Sequence, residues 1–187
     1  MNLPSDKECF RIIRDMEMMD HIVDHSVMVS NVAVCLGMVL KRTTPELNID
    51  LVRVAGLLHD ITKTRSFETG EVHSKTGGGL METLGYPEVA DIIRQHVVLD
   101  VRSDHGPVSE TEIVNYADKR VLHDRVVSLE RRLAYIQRRY GTKPEFRRWI
   151  RKLWDDTLAL EKKLFRKIAF GPDELPKQIT AEVVKEP

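Results

Sequence analysis

Several features that would assign the chain to a class of protein are scarce or missing. It has only two cysteines, Cys9 and Cys35, each within an apolar helical pattern, so we expect buried reduced thiols rather than a disulfide. No apolar run approaches the ~20 residues of a membrane-spanning helix. Residues 1–7 lack the positive region followed by an apolar core that a signal peptide has. These absences predict a cytoplasmic protein without a membrane partner.

A net charge is also missing, because 29 Lys and Arg residues balance 29 Asp and Glu residues over 187 positions. The balance conceals an asymmetry along the chain. Residues 1–118 have 11 basic and 19 acidic side chains, whereas residues 119–168 have 16 basic and 6 acidic ones. The acidic part suits cation binding, and the basic part suits contact with phosphates or with an acidic partner.

Alternating strand patterns are absent from the sequence, and apolar residues recur at helical spacing almost throughout. Capping boxes open two of the predicted helices, at Ser5–Glu8 and at Ser109–Glu112, and Gly85 ends another. The helix that begins after Ser109 is predicted to continue through Val121. The spacing therefore predicts an all-α fold, a helical bundle followed by a C-terminal helical hairpin.

Breaks between the helices divide the chain. We expect loops at 62–72 and 100–108, and Gly141–Pro144 separates the two helices of the hairpin. After Gly171 and Pro172 the pattern is weak, which predicts an irregular or disordered end. The predicted units are a main helical domain over residues 1–125, a helical extension over 126–170 and an irregular tail over 171–187.

Six side chains that can bind metals lie at the core edges of the predicted helices. His59 and Asp60 end an apolar helix, and a base and an acid buried side by side are costly unless a partner satisfies both. A divalent cation is such a partner, since histidine and carboxylate are common metal ligands. Spread over five helices, the candidates could converge in a bundle. The candidates are His25, His59, Asp60, His73, His96 and Asp118.

The surroundings of these residues resemble a known family. The segments Gly56–Lys63 (GLLHDITK) and Tyr116–Lys119 (YADK), with His25 upstream, look like the signature segments of the HD-domain superfamily of metal-dependent phosphohydrolases. The resemblance covers about residues 20–125 and implies an HD-domain helical bundle. Thr62 stands where the His-Asp-Ile-Gly variant of the family has glycine. Because threonine disfavours a positive φ, we expect a slightly different turn after Asp60.

The resemblance also implies the metal ligands. His25, His59, Asp60 and Asp118 would hold one divalent ion. In branches of the superfamily with two metals, two further histidines lie between the His-Asp pair and the last aspartate, which implies a second ion held by His73, His96 and a bridging Asp60. The ions would be Fe, Mn, Ni, Co or Mg. Around His73 and His96 the chain is similar to the branch that hydrolyses symmetrical dinucleoside polyphosphates.

The activity implied by the resemblance is hydrolysis of a nucleotide or a related phosphoester or phosphoanhydride by a metal-activated hydroxide. Asp60 and Lys63 would then be catalytic residues. Lys63 lies one turn beyond His59 and would neutralise a phosphate oxygen or assist the leaving group. The residues expected to contact the phosphorylated substrate are Lys63, Arg94, Arg102 and Lys119.

Two other functions are compatible with the same ligands. A mixed-valent diiron oxygenase would use the same six residues, and a non-catalytic regulatory module that binds metal or nucleotide would keep the fold without turnover. The basic stretch 125–167 invites a nucleic-acid interpretation. Its aromatic residues have the spacing of a core rather than of a stacking platform. We therefore expect a structural or homo-oligomerising hairpin in which pairs such as Arg131–Arg132 lie on a solvated face.

Three other features are weaker candidates. His21 precedes His25 by one helical turn and is expected to be exposed or to lie outside the ligand set. His123 lies five positions after Asp118 on the same predicted helix, so its side chain should point away from the site. Gly77–Gly79 lacks the ending of a phosphate-binding P-loop. These glycines should allow either a neighbouring helix or a nucleotide to approach closely.

Overall fold

The structure is a computed structural model, and it describes residues 1–101 and 105–179. Over these residues the chain is mainly helical, with one small antiparallel hairpin, so the predicted all-α fold is confirmed. In chain order the elements are α1 (Asp6–Asp15), α2 (Asp20–Leu40), α3 (Ile49–Leu58), α4 (Lys63–Thr69), α5 (His73–Thr83), α6 (Pro87–Gln95), α7 (Glu110–Arg120), β1 (Val121–Leu122), β2 (Arg125–Val126), α8 (Leu129–Tyr140), α9 (Pro144–Phe165), a 3-10 turn (Pro172–Glu174) and α10 (Leu175–Gln178).

Helices α2 and α3 form the centre of the bundle. α2 packs against α3 and α7, while α3 also contacts α6, and α5 pairs with α6. Their apolar faces are fully buried, as at Val32, Leu57 and Ile113. Since the helices meet along these faces, the polar residues at the ends of α3 and α6 and at the start of α5 are brought to one end of the core.

Gly56 allows α2 and α3 to approach each other closely. A Cβ atom at this position would lie 2.9 Å from the Cα of Ser30 in α2. The Ser30 hydroxyl donates a hydrogen bond of 2.8 Å to the carbonyl of Arg53, which joins the two helices at the same level. Because His59 follows Gly56 by less than one turn, this close contact determines how near His59 comes to α2.

Replacing Gly56 by alanine should therefore lower the free energy of unfolding by about 1–3 kcal/mol, the usual cost of overpacking a core. Gly79→Ala is the matched control. Gly79 also lies within a helix, but a Cβ there would meet no atom within 4 Å. The control should keep or raise stability, by up to about 1 kcal/mol, since alanine is the better helix former. Urea denaturation of both variants measures the difference, and equal stabilities would contradict the packing argument.

Helix α2 corrects one expectation from the sequence. Its 21 residues are long and apolar enough to cross a membrane by length and composition, although no sufficient apolar run was expected. Core helices of soluble proteins have the same properties. In the structure most of α2 is buried against its neighbours, and His25 and Ser26 are among its buried residues. We therefore interpret α2 as a core helix.

The predicted loop at 62–72 is partly wrong, because residues Lys63–Thr69 form helix α4. α4 is short and mostly polar and has no buried residue, so its sequence has no apolar stripe by which to recognise a helix. It ends at Gly70, whose φ of 70° is left-handed. Glycine adopts this conformation without strain.

The predicted continuation of the seventh helix through Val121 is also wrong. α7 begins with the expected capping box of Ser109 and Glu112, but it ends at Arg120. Val121 then pairs with Val126 in an antiparallel hairpin whose turn contains His123 at a φ of 57°. The side chain of Arg120 is buried and donates to the carbonyl of Val127 at 2.8 Å, which holds the chain after the reversal.

The C-terminal helices pack as the hairpin predicted from the sequence, with α8 against α9 on either side of residues 141–143. α9 also packs against α7, where Lys163 and Glu112 form a buried ion pair of 2.6 Å. Residues 172–178, expected to be irregular, form the 3-10 turn and α10, and Leu175 is fully buried. The division of the chain into three units stays a prediction.

Candidate metal centre

The structure brings the six candidate ligands together at one end of the core. Ring centroids of neighbouring histidines are 5.4 Å apart for His25 and His59, 4.9 Å for His59 and His96, and 5.1 Å for His73 and His96. Each element contributes in turn. His25 lies in α2, His59 and Asp60 directly follow α3, His73 begins α5, His96 directly follows α6, and Asp118 lies in α7.

One group of ligand atoms surrounds the Nε2 atom of His59. Atoms of His25, His59 and Asp60 lie within 4.8 Å of one another, close enough to hold one metal ion. Asp118 belongs to the same group, because its Oδ1 lies 3.2 Å from Nε2 of His25 and 3.8 Å from Nε2 of His59. We call His25, His59 and Asp60 the first trio, and Asp118 lies beside it as a further candidate ligand.

A second group shares Asp60 with the first. Atoms of Asp60, His73 and His96 also lie within 4.8 Å of one another, and we call them the second trio. Asp60 Oδ1 is 3.1 Å from Nε2 of His73 and 3.5 Å from Nε2 of His96. Its other oxygen, Oδ2, is 3.5 Å from Nε2 of His59. The two oxygens of Asp60 thus face different trios, which is the arrangement a bridging carboxylate requires.

Backbone carbonyls orient three of the imidazole rings. Nδ1 of His25 donates to the carbonyl of His123 at 2.9 Å, and Nδ1 of His59 donates to that of Gly56 at 2.8 Å. Nδ1 of His96 donates to the carbonyl of Ile93 at 2.7 Å. A carbonyl only accepts, so the proton is on Nδ1 and the lone pair of Nε2 points into the cluster.

The surroundings of His59 indicate whether a cation fits the site. Its side chain is fully buried, and Nε2 has no hydrogen-bond partner in the described part of the chain. A buried polar atom without a partner is costly. Imidazole nitrogens and carboxylate oxygens together form a donor set suited to a divalent first-row metal or magnesium. The residues present therefore fit a metal ion.

The charge states of His59, His73 and Asp60 are those of metal ligands. Burial lowers the pKa of His59 to about 3, and burial also lowers the pKa of His73. Burial alone would raise the pKa of Asp60, but the neighbouring His59, the ammonium of Lys63 and the hydrogen bonds of His73 and His96 hold it well below its usual range. At neutral pH these imidazoles are neutral and the carboxylate is ionised, as metal binding requires.

The comparison with protein families agrees with this geometry. The model of the HD domain matches residues 22–136, more than half of the chain. The chain belongs to the HD-domain family. The match begins in α2 and ends within α8, so it includes all six ligands. It also extends beyond the boundary at residue 125 that the sequence predicted for the main domain. Members of this superfamily are in general metal-dependent phosphohydrolases.

The chain is also similar to one curated protein. Uncharacterized protein MJ0778 of Methanocaldococcus jannaschii is 28% identical over 135 residues, which cover 65% of this chain and 79% of that protein. Its name states no activity. No solved structure matches the chain.

Thr62 stands where the His-Asp-Ile-Gly variant of the family has glycine, and its hydroxyl forms hydrogen bonds that glycine could not form. The φ of Thr62 is −105°, a negative value. Its hydroxyl donates to the carbonyl of His73 at 2.8 Å and lies 2.9 Å from the hydroxyl of Thr76. Both bonds attach the segment after Asp60 to the first turn of α5. Thr62 thereby helps to position His73 beside Asp60.

Lys63 lies where a phosphate contact was predicted. Its Nζ is 3.5 Å from Oδ1 of Asp60 and 3.4 Å from Nε2 of His73, and its side chain is partly exposed. It lines a cavity of about 250 Å³ that opens beside His25 and Asp60. Its role toward a substrate stays a prediction.

Lys119 and Arg94 already have partners within the chain. Lys119 is buried, and its Nζ donates to the carbonyl of His96 and lies 3.4 Å from Asp118 Oδ2, so it supports two ligands from behind. Arg94 is exposed on α6, outside the cavity, and pairs with Asp91 and Asp100. For both residues, contact with a substrate stays a prediction. Arg102 lies outside the described residues.

Two residues near the cluster, Arg132 and His123, lie in surroundings that differ from those predicted from the sequence. Arg132 was expected on a solvated face, but its side chain is only 16% exposed and its Nη2 lies 3.6 Å from Oδ1 of Asp118. His123 was expected to point away along a helix. Instead its carbonyl orients His25, and it lines the cavity. The sequence did contain a signal for Arg132, its helical register three positions after Leu129 and four before Ile136. It contained no such signal for His123.

The structure also shows the surroundings of the glycine run and of His21. A Cβ on Gly77 would lie 3.1 Å from the side chain of Ile93, and one on Gly78 would lie 3.0 Å from the carbonyl of Ala90. These glycines therefore permit the close approach of α5 to α6. His21 is exposed at the rim of the cavity, outside both trios.

The lowered pKa of His59 predicts a pH-dependent stability. A histidine whose pKa falls from 6.5 to about 3 on folding binds its proton less tightly in the folded chain. The unfolded state then takes up the proton as the pH falls below 6.5, so stability is full above that pH and is lost toward pH 3. Between pH 7 and pH 5 the metal-free protein should lose about 2 kcal/mol through this residue.

Urea denaturation in the presence of a chelator measures this loss. His59→Gln removes the titrating group, so the variant should lose less stability between the same two pH values. An equal loss in both proteins would show that His59 is not the group responsible.

Proposed function

We propose that this HD domain is a metal-dependent phosphohydrolase that cleaves a small phosphorylated substrate, a nucleotide or a related phosphoester. The observation that carries the proposal is the position of Asp60. One of its oxygens faces His59 and the other faces His73 and His96, at the floor of an open cavity. A shared carboxylate between two groups of imidazoles, next to solvent, suits hydrolysis assisted by two metals.

The two trios would hold one divalent ion each. His25, His59 and Asp118 would complete one site and His73 and His96 the other, with Asp60 in both. When bound, two such ions supply an activated water at neutral pH and withdraw negative charge from a phosphoryl group. The donor set is compatible with Fe, Mn, Ni, Co or Mg, and imidazole favours the transition metals among them.

The chain's own residues would orient and neutralise the substrate. Lys63 is within reach of the cavity and carries a positive charge next to Asp60, so its ammonium would neutralise a phosphate oxygen or assist the leaving group. The second role requires a proton on Nζ. Lys119, buried against His96 and Asp118, would keep these two ligands in place while the substrate binds and leaves.

We further propose a cytoplasmic protein that requires no membrane or nucleic acid as a partner. The burial of α2 within the bundle supports the proposal that no membrane partner is required. Homo-oligomers would form through the C-terminal hairpin, where Phe146 and Trp149 are about half exposed. Size-exclusion chromatography with light scattering tests the oligomeric state.

The experiment that tests the function combines metal analysis with a substrate panel. The purified chain is analysed for its elemental content and then assayed on nucleotides and other phosphoesters with Mn²⁺, Fe²⁺, Co²⁺, Ni²⁺ and Mg²⁺. We expect about two metal ions per chain and release of phosphate from at least one class. Iron with oxygen consumption and no phosphate release would indicate a diiron oxygenase instead. Metal or nucleotide binding without turnover would indicate a regulatory module.

A further inference from the structure

Arg132 is a cation beside the metal cluster that the proposed metal binding does not use. It lines the cavity, and its Nε is buried without a hydrogen-bond partner among residues 1–101 and 105–179. Its one ion pair in these residues, with Asp118, is long at 3.6 Å. A guanidinium has five donors in a fixed plane. Donors of Arg132 are therefore left for an anion that enters the cavity.

Helix α8 presents more than one residue to the cavity. Arg132, Tyr135 and Arg139 all line it, and their spacing of three and four positions places them on one face of the helix. We call them the α8 face. The ring of Tyr135 packs edge-on against His123 with the centroids 5.6 Å apart, so Tyr135 is held at the cavity wall. Arg131, next to Arg132 in sequence, is exposed and does not line the cavity.

The cavity combines positive charge with an aromatic wall. Lys63 and Arg132 supply cations from different helices near the two trios, and Tyr135 supplies an aromatic surface farther along α8. Its volume of about 250 Å³ is small for a ligand site, since drug-sized pockets begin near ~300 Å³. One phosphate group and one ring system match the cations and the aromatic surface that line this cavity.

We propose that the α8 face is the substrate subsite, and that the substrate is a phosphomonoester bearing a single planar ring system. Arg132 and Lys63 donate to the oxygens of the phosphate, because a guanidinium fork matches phosphate in a bidentate manner. Tyr135 contacts the ring, and Arg139 borders the entrance. The inference rests on the proposed function, since the phosphate must reach the metal cluster to be cleaved.

Phosphate binding tests the role of Arg132. Inorganic phosphate is titrated into the full chain saturated with Mn²⁺, with calorimetry for affinity and elemental analysis for metal content. Arg132→Gln should weaken phosphate binding about 10–100-fold, the value of a charge-assisted hydrogen bond, and should retain the metal. Arg132→Lys should recover part of the affinity. Arg131→Gln removes an exposed arginine from the same helix and should bind phosphate like the unmodified chain.

Tyr135 is tested with two small esters. The ratio of kcat/KM for phenyl phosphate to that for methyl phosphate measures recognition of the ring. Tyr135→Leu should reduce this ratio about 2–10-fold, as the loss of one aromatic contact does, and should leave the affinity for inorganic phosphate unchanged. An unchanged ratio would exclude Tyr135 from the subsite.

The remaining outcomes separate the inference from the function it rests on. Loss of metal from Arg132→Gln would make Arg132 a positioning residue for Asp118 and would overturn the subsite. Equal phosphate affinities of Arg132→Gln and Arg131→Gln, or no phosphate binding by the unmodified chain, would overturn it as well. Phosphate binding that depends on Arg132, without hydrolysis of any phosphoester, would contradict the proposed function and leave the subsite intact.

Discussion

Asp60→Ala should remove both metal ions and reduce phosphoester hydrolysis to background. Asp60 is the one residue shared by the two trios of ligand atoms, and each of its oxygens faces a different trio. Its loss therefore takes a ligand from both sites at once. Replacing a partner outside the ligand set commonly costs about 10–100-fold in metal affinity or activity, so loss of a shared ligand should cost more. Elemental analysis and the phosphoester assay measure the two effects on the same preparation.

Two variants make this result interpretable. Asp60→Asn keeps the volume of the side chain and removes its charge, so it should lose the metals with little change in packing. Asp155→Asn changes an exposed aspartate in α9, and it should retain both the metal content and the activity of the unmodified chain. Full metal occupancy in Asp60→Ala would show that the assignment of the site is wrong.

His96→Ala should reduce the metal content from two ions to one per chain. His96 belongs only to the second trio, and its Nε2 lies 3.5 Å from Asp60 Oδ1. The first trio and Asp118 do not depend on it. A truncation at a buried position also costs packing energy. His73→Ala, at a more exposed ligand of the same trio, should produce the same stoichiometry at less cost to stability.

The reciprocal variant is His25→Ala, which should remove the ion of the first trio and leave the other. Elemental analysis of the three histidine variants, with circular dichroism to verify the fold, tests the two-ion proposal. Two ions retained in His96→Ala and in His73→Ala would contradict it.

Helical register and the family resemblance together indicated the candidate ligands of this HD domain. His25 lies on the inward face of an apolar helix, and His59 and Asp60 stand at the buried end of another. Such positions depend on local periodicity, which a sequence contains. The family match over residues 22–136 and the convergence of the histidine rings agree with that interpretation.

The errors occurred where local pattern is weak or where distant segments meet. α4 has no buried stripe, and the hairpin after α7 has strands of only two residues, so neither has a periodicity to detect. Contacts between distant segments were also not predicted, such as the hydrogen bond from the ammonium of Lys119 to the carbonyl of His96. This hydrogen bond depends on the packing of α6 against α7, which cannot be predicted from local sequence pattern.

The sequence by itself determined the helical fold, the ligand types and the order in which they occur. Tertiary structure alone decided how they are shared and what surrounds them. The close contact at Gly56 brings α3 to α2, and the packing of α3, α5 and α6 places Asp60 between two groups of imidazoles. The β-hairpin formed by β1 and β2 then reverses the chain direction at His123, so that α8 places Arg132 beside Asp118. These contacts join residues far apart in the chain, and a side chain's partners across such distances follow from packing rather than from local pattern.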